Sequence, residues 1–399
     1  MALMPVEKAK AQILAGVSPL PAEKVAITSA HARVVAKDLK APRDQPPFAA
    51  SAMDGYAINS ADGAAGAELK IIGVSSAGHG FKEALGPSQA VRIFTGAPVP
   101  TKADAILIQE NATAAEGFVS VKVSVKPGQH IRPRGLDFRK GDILLRAGQR
   151  LSARDIGLAA AMNFSHLPVR KKPVVAILAT GDELVEPGGR PGADQISSSN
   201  NLALAAFIEW AGGLPLLLGT VKDSVPSIRA AVRRAKNADV LVTSGGASVG
   251  EHDLVRKALE AEGIPLAFWK IAMRPGKPLM FARSKKQRII GLPGNPVSAL
   301  VCARVFIKPL LDRLLGISRE ELTLFAALAA PMRANDERQE YARGEIRRGK
   351  DGSLSVIPFP SQDSSMLAVL ARADCLIVRP PHAPPAEIGE KIEIVLLDF

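Results

Sequence analysis

Residues 238–253, Ala-Asp-Val-Leu-Val-Thr-Ser-Gly-Gly-Ala-Ser-Val-Gly-Glu-His-Asp, constrain the fold more than any other stretch. Asp239 to Thr243 is a short β-branched apolar run and predicts a buried strand. It ends at Ser244-Gly245-Gly246, followed by Ser248 and Gly250. Leu254, Val255, Ala258 and Ala261 then repeat at helical spacing, and Gly263 is a stop signal. Strand, glycine-rich turn and helix together aim backbone N–H groups at an anion, and glycines let the backbone approach phosphate oxygens. The hydroxyls of Ser244 and Ser248 add donors, while Glu251 and Asp253 add carboxylates through which Mg²⁺ could bridge to that phosphate. A tight turn with a polar cap would use the same residues, so the neighbouring stretches decide between the two.

Those neighbours alternate strand and helix from residue 171 to about 316. Strand signals cover Val174–Leu178, Pro215–Gly219, Ala267–Ile271, Leu279–Ala282 and Arg288–Gly291. Helix signals cover Asn200–Trp210, a segment opened by Ser224 and Pro226 and running to Lys236, and Pro296–Leu315. This order predicts a doubly wound α/β sheet, in which ligands bind beyond the carboxyl ends of the strands. Asp182-Glu183, Asp223 and the Ser244–Gly250 loop all fall at such ends, and their coincidence favours a site over three unrelated turns.

The flanks differ in character. Val6, Ala9 and Ile13, then Val25, Ile27, Ala30, Val34 and Val35, read as two helical segments separated by Pro19 and Pro21. Residues 48 to about 140 are short β-like runs cut by Gly and Pro, including Leu69–Val74, Ala90–Phe94, Ala105–Ile108 and Phe118–Val125. Ser152-Ala153-Arg154-Asp155 is a capping box opening a helix to about Met162, so the β-rich segment reads as an insertion into a helical unit. After residue 320, Tyr341–Arg347 and Leu354–Phe359 flank the hairpin signal Lys350-Asp351-Gly352, and Asp374–Val378 and Lys391–Leu397 complete a small barrel. The expected organisation is therefore multidomain α/β plus β-rich. It comprises a helical linker unit (1–45 and 140–170), an inserted β-rich unit (46–139), the doubly wound unit (171–316) and a C-terminal barrel (317–399).

With 399 residues, 47% hydrophobic and 23% charged, the chain has the profile of an ordinary globular protein of several domains. No apolar run reaches membrane-spanning length. Residues 1–17 lack the apolar core of a secretory signal, and the two cysteines, Cys302 and Cys375, sit in apolar surroundings; both point to a reducing, cytoplasmic setting. The net charge of +12 calls for acidic partners, but aromatics at 4% and the absence of a basic-aromatic platform argue against nucleic acid and for small anions.

Further motifs run along the chain: Pro46-Pro47-Phe48 with Ser51-Ala52-Met53-Asp54-Gly55-Tyr56-Ala57, Thr95-Gly96-Ala97-Pro98-Val99-Pro100, and Thr180-Gly181-Asp182-Glu183-Leu184. They continue through Ser244–Gly250, Pro275-Gly276-Lys277-Pro278 and Gly291-Leu292-Pro293-Gly294-Asn295-Pro296-Val297-Ser298. In these motifs the chain resembles the MoeA-type molybdopterin molybdenumtransferase family, which includes the C-terminal part of gephyrin. Two departures stand out: Ala247 where the family usually has Val, and Arg274 where it often has Lys.

The resemblance implies insertion of molybdate into adenylylated molybdopterin, with release of AMP and dependence on Mg²⁺. It implies Glu183, Asp223 and Asp253 as metal ligands and catalytic acids, with Asp54, Thr95 and Asp137 as pterin-side or catalytic contacts. Substrate contacts would come from Ser244, Gly245, Gly246, Ser248 and Gly250, and from the cations Lys270, Arg274 and Lys277. An oxyanion site would be lined by Pro293, Gly294, Asn295, Pro296, Arg343 and Ser364, with Ser365 as the alternative to Ser364. It further implies a homodimer with a cleft shared between chains, and transient contacts with an adenylyltransferase and with apo-molybdoenzymes. Two other functions remain open at this point: a molybdopterin adenylyltransferase, which needs little beyond residues 171–316, and a gephyrin-like scaffold, for which the acids would be dispensable.

Overall fold

A computed structural model describes residues 3–245, 254–317, 323–350 and 352–399. Its centre is a six-stranded sheet in the order Leu214–Val221, Val174–Thr180, Val240–Ser244, Arg288–Leu292, Met280–Arg283, Leu266–Trp269. The first four strands run parallel, and Met280–Arg283 runs antiparallel to both of its neighbours, Arg288–Leu292 and Leu266–Trp269. Side-chain alternation covers both faces. Val175, Ile177, Val240, Val242, Ile290 and Leu292 pack with the helices Asn200–Trp210 and Pro296–Cys302, while Ala176, Leu178, Leu241 and Ile289 pack with Val225–Arg234 and Leu254–Ala261. The chain leaves the Val174–Thr180 strand toward one edge and returns to the other side at Val240. That reversal opens a crevice between the carboxyl ends of these two strands.

The predicted long helix after Pro296 is continuous to Leu315, but residues Ala303–Ile307 form a π turn. Pro309 supplies the reason, because it has no N–H for the helix ladder and crowds the preceding turn, and a wider turn relieves both.

The linker differs from its predicted form. Val6–Leu14 is a helix, but it packs through Val6, Ala9 and Ile13 into the core of the α/β unit. The second segment is not helical. Ala22–Ala26 is a strand paired antiparallel with His166–Arg170, Ile27–Ser29 is a short 3₁₀ turn, and Val34 and Val35 make isolated bridges. The β-branched residues there suit pairing better than a helix surface. The predicted capping box is present, with Ser152 and Asp155 bonding reciprocally at the start of Ala153–Ala161.

The β-rich insertion is a six-stranded sheet in the order Ala105–Ile108, Gly55–Ile58, Gln89–Ile93, Glu68–Ser75, Phe118–Val121, Ala112–Ala115. At the C-terminus, Gln339–Arg348, Leu354–Pro358, Leu324–Leu328, Lys391–Leu396 and Cys375–Arg379 pair in turn, and the last pairs back to the first, closing a five-stranded barrel. Met273–Arg274, from the α/β unit, adds a short parallel strand beside Gln339 and Glu340.

Candidate functional site

The crevice holds a cleft of about 340 Å³ lined by Thr180, Glu183, Ser197 to Asn200, Ser244, Gly245, Gly294, Asn295, Pro296 and Ser365. Its floor depends on glycine. Gly245 has φ +88°, and a Cβ there would lie 2.2 Å from the Thr180 carbonyl oxygen. A Cβ on Gly294 would in turn touch the Gly245 Cα at 3.7 Å, so the two loops meet backbone to backbone. Asn200 ties them: its Nδ2 donates to Ser244 Oγ and to the Gly294 carbonyl, both at 2.7 Å. Gly246, Ser248, Gly250 and Asp253 lie outside the described residues.

Three carboxylates gather at one rim. The Asp223 backbone N–H donates to Asp182 Oδ1 at 3.2 Å. Glu183 folds back over Gly181, where a Cβ would come within 2.6 Å of its carboxylate. Burial first, then the neighbouring charges of Asp182 and Glu183, hold the Asp223 carboxyl above its ordinary range. A cation would relieve that repulsion. Among the described residues no three His, Cys, Asp or Glu side chains close into a metal cage. Mg²⁺ commonly takes only one or two carboxylates together with substrate phosphates, so this rim fits that ion.

At the opposite rim, Asn295 Nδ2 donates to Ser364 Oγ at 2.7 Å, and the Val297 N–H donates to the Ser364 carbonyl at 3.2 Å. Ser364 is therefore engaged with the helix start, and its neighbour Ser365 lines the cleft. The Ser365 hydroxyl, more than its N–H, holds the Asp363 carboxyl below the usual range. Arg343 is only 1% exposed, and its guanidinium is spent on the loop 361–366.

The expected cations are placed differently from one another. Lys270 adopts φ +67° and its Nζ stands 3.9 Å from the centre of the Trp269 ring. Lys277 is exposed. Arg274 is engaged with the barrel, contacting Glu340 at 2.8 Å, Asn335 at 3.1 Å and Asp336 at 3.3 Å.

A second cleft, of about 380 Å³, lies on the β-rich insertion, lined by Gln45 to Phe48, Ala50, Gly96, Arg132, Leu136 and Asp137. It shares no lining residue with the first. Asp54 is bonded to Thr95, the residue before Gly96. Gly55 anchors this segment in the sheet: a Cβ there would lie 2.0 Å from the Leu107 carbonyl oxygen. Sequence reasoning placed Asp182 at a strand end without giving it a role, and passed over Arg132 and Asn200. Arg132 was visible only as one member of a basic cluster, and Asn200 only as a helix start after three serines.

Comparison with known proteins agrees along the whole chain. Residues 4–163 match the model of the MoeA N-terminal region (domain I and II), 176–313 that of a probable molybdopterin binding domain, and 326–397 that of the MoeA C-terminal region (domain IV). The molybdopterin molybdenumtransferase of Haemophilus influenzae is 34% identical over 380 residues, covering 94% of each chain. That of Bacillus subtilis is 32% identical over 386 residues, covering 94% of this chain and 90% of its own. The crystal structure of the molybdopterin biosynthesis moeA protein from Pyrococcus horikosii superposes with a TM-score of 0.86 at 30% identity, covering 100% of both chains. With its central α/β unit, its β-rich insertion and its closed C-terminal barrel each matched in order, the chain belongs to the MoeA-type molybdopterin molybdenumtransferase family, whose work is molybdenum cofactor biosynthesis.

Proposed function

We propose that this enzyme transfers molybdenum from molybdate into adenylylated molybdopterin and releases AMP. The observation that carries the reading is the convergence, at the carboxyl ends of one parallel sheet, of a close glycine floor, an acidic rim and a hydroxyl-lined rim. Gly245 and Gly294 let backbone approach the diphosphate, and Asn200 holds Ser244 beside it. A hydroxyl that accepts from Asn200 keeps its own proton free to donate to a substrate oxygen. Glu183 and Asp223, with Asp182 beside them, would hold Mg²⁺, and the resemblance adds Asp253 as a further ligand. That ion, when bound, would neutralise charge on the diphosphate as it is cleaved. Asn295 faces the oxyanion end, where a neutral donor suits a tetrahedral dianion, and Ser365, whose N–H and hydroxyl are both given to Asp363, shapes the wall beside it. Lys270 and Lys277 supply positive charge to the same substrate.

Arg132 and Asp137 line the other cleft, and the bonded pair Asp54 and Thr95 adjoins it through Gly96. Phe48, Met53, Phe94 and Leu136 stand exposed around them. We take these as the half of the active site that a second copy supplies, so that one two-fold dimer carries two composite clefts.

The test is AMP release from adenylylated molybdopterin in the presence of Mg²⁺, with and without molybdate. Molybdate-dependent AMP release is the expected result. Formation of adenylylated pterin from ATP would assign the adenylyltransferase reaction instead, and an inert protein would assign a scaffold.

A further inference from the structure

We propose that Gln362 is the positioning residue of the oxyanion end, acting through the buried guanidinium of Arg343. The proposal rests on the reading of the 340 Å³ cleft as the site of molybdate insertion. Every hydrogen-bonding capacity of the Gln362 amide is used. Its Oε1 accepts from the Arg343 backbone N–H at 2.8 Å and from Arg343 Nε at 3.2 Å. Its Nε2 donates to the Arg343 carbonyl at 3.0 Å and to the Phe359 carbonyl at 2.9 Å. Only this orientation of the amide pairs donors with acceptors.

Arg343 meanwhile donates from Nη1 to the Met366 carbonyl and from Nη2 to the Ser361 carbonyl, both at 3.3 Å. The 361–366 loop is thus wrapped around one buried guanidinium, and Gln362 fixes that guanidinium to the barrel strand Gln339–Arg348. The same loop brings Ser364 to Asn295 and Ser365 to the cleft. Gln362 lines neither cleft itself. It sets where the serines stand, and so governs affinity for the oxyanion more than for the pterin nucleotide.

The experiment measures AMP release by the full-length protein at varied molybdate and at varied adenylylated molybdopterin. It compares wild type with Gln362→Met and Gln362→Glu. Methionine removes all four bonds, whereas glutamate keeps both acceptor contacts to Arg343 and loses the two donors. KM for molybdate should rise roughly tenfold in Gln362→Met, by an intermediate factor in Gln362→Glu, with kcat and KM for the pterin nucleotide within about twofold of wild type. Should methionine prevent folding, the glutamate variant alone carries the same KM-against-kcat comparison. An unchanged KM for molybdate in a folded variant, or equal losses in kcat and in both KM values, would overturn the proposal while leaving the reaction assignment standing. Wild-type AMP release that ignores molybdate would overturn both.

Discussion

The backbone N–H and the hydroxyl of Thr95 converge on one oxygen of Asp54, Oδ1, each at 2.8 Å. The N–H is the larger influence and the hydroxyl the second, and together they hold the Asp54 carboxyl below its ordinary range. Both bonds favour the charged form, so Asp54 stays ionised to lower pH than a free aspartate.

A depressed carboxylate pKa keeps its benefit above the ordinary value and loses it as pH falls through the folded-state value. Removing one donor must move that loss upward. Thr95→Val keeps the N–H and deletes the hydroxyl, so the acid limb of the pH–rate profile should shift to higher pH, toward but not reaching the ordinary aspartate range. Carboxyl-carbon NMR titration of Asp54 should show the same direction. An acid limb that stays put in Thr95→Val would mean that Asp54 does not govern it.

Gly245 and Gly219 separate backbone strain from steric closure. Both have positive φ, +88° and +81°, but a Cβ at Gly219 meets nothing within 4 Å, whereas one at Gly245 reaches the Thr180 carbonyl at 2.2 Å. Gly219→Ala should cost only the conformational strain, about 1 kcal/mol. Gly245→Ala must also push apart two strand ends and should cost about 3 kcal/mol or more, with loss of AMP release. Urea denaturation of the two variants decides the point, and equal shifts in midpoint would refute the steric account.

Arg274 engages Glu340, Asn335 and Asp336, three partners in three directions. The resemblance, in which lysine often stands here, implies that lysine should serve as well. The geometry says otherwise for stability, because a single ammonium cannot satisfy a fork that is spread over a carboxylate, an amide and a second carboxylate. Arg274→Lys should therefore lower the thermal midpoint by an amount corresponding to about 1 kcal/mol, kept small by the partial exposure of the cluster. A midpoint identical to wild type would show that the guanidinium fork is not needed there.

The α/β unit was legible because its signals are local. Val175 and Ile177 alternate with Ala176 and Leu178 on a strand buried on both faces, and the helices between strands carry their own caps and stops. The acidic rim was legible for the same reason, since each acid sits just past a strand end. What escaped depends on partners far along the chain. Arg274 meets residues more than sixty positions away. Val25, Val34 and Val35 carry a spacing that fits a helix, yet they pair with segments near residues 150 and 169. Ser364 and Ser365 could not be told apart until Asn295 was seen to engage the first and the cleft the second. Asn200 shows locally only as a helix start, because its role lies in joining two loops from different strands.

The disjoint clefts lead to the last prediction. Asp54 lies on the β-rich insertion and Asp223 at the end of the α/β sheet, and no residue lines both clefts. If one active site needs both acids and a two-fold dimer supplies them from opposite chains, Asp54→Ala and Asp223→Ala should each be inactive alone. Co-expressed with distinguishable tags, they should form mixed dimers in which one cleft carries both defects and the other carries neither. Random pairing makes about half the dimers mixed, and each has one intact cleft of two, so roughly a quarter of wild-type AMP release should return. A cleft contained in one chain would leave one defect in every site, and no activity would return. Mass spectrometry on the mixed species separates that outcome from failed pairing: mixed dimers present and inactive would rule out the shared cleft.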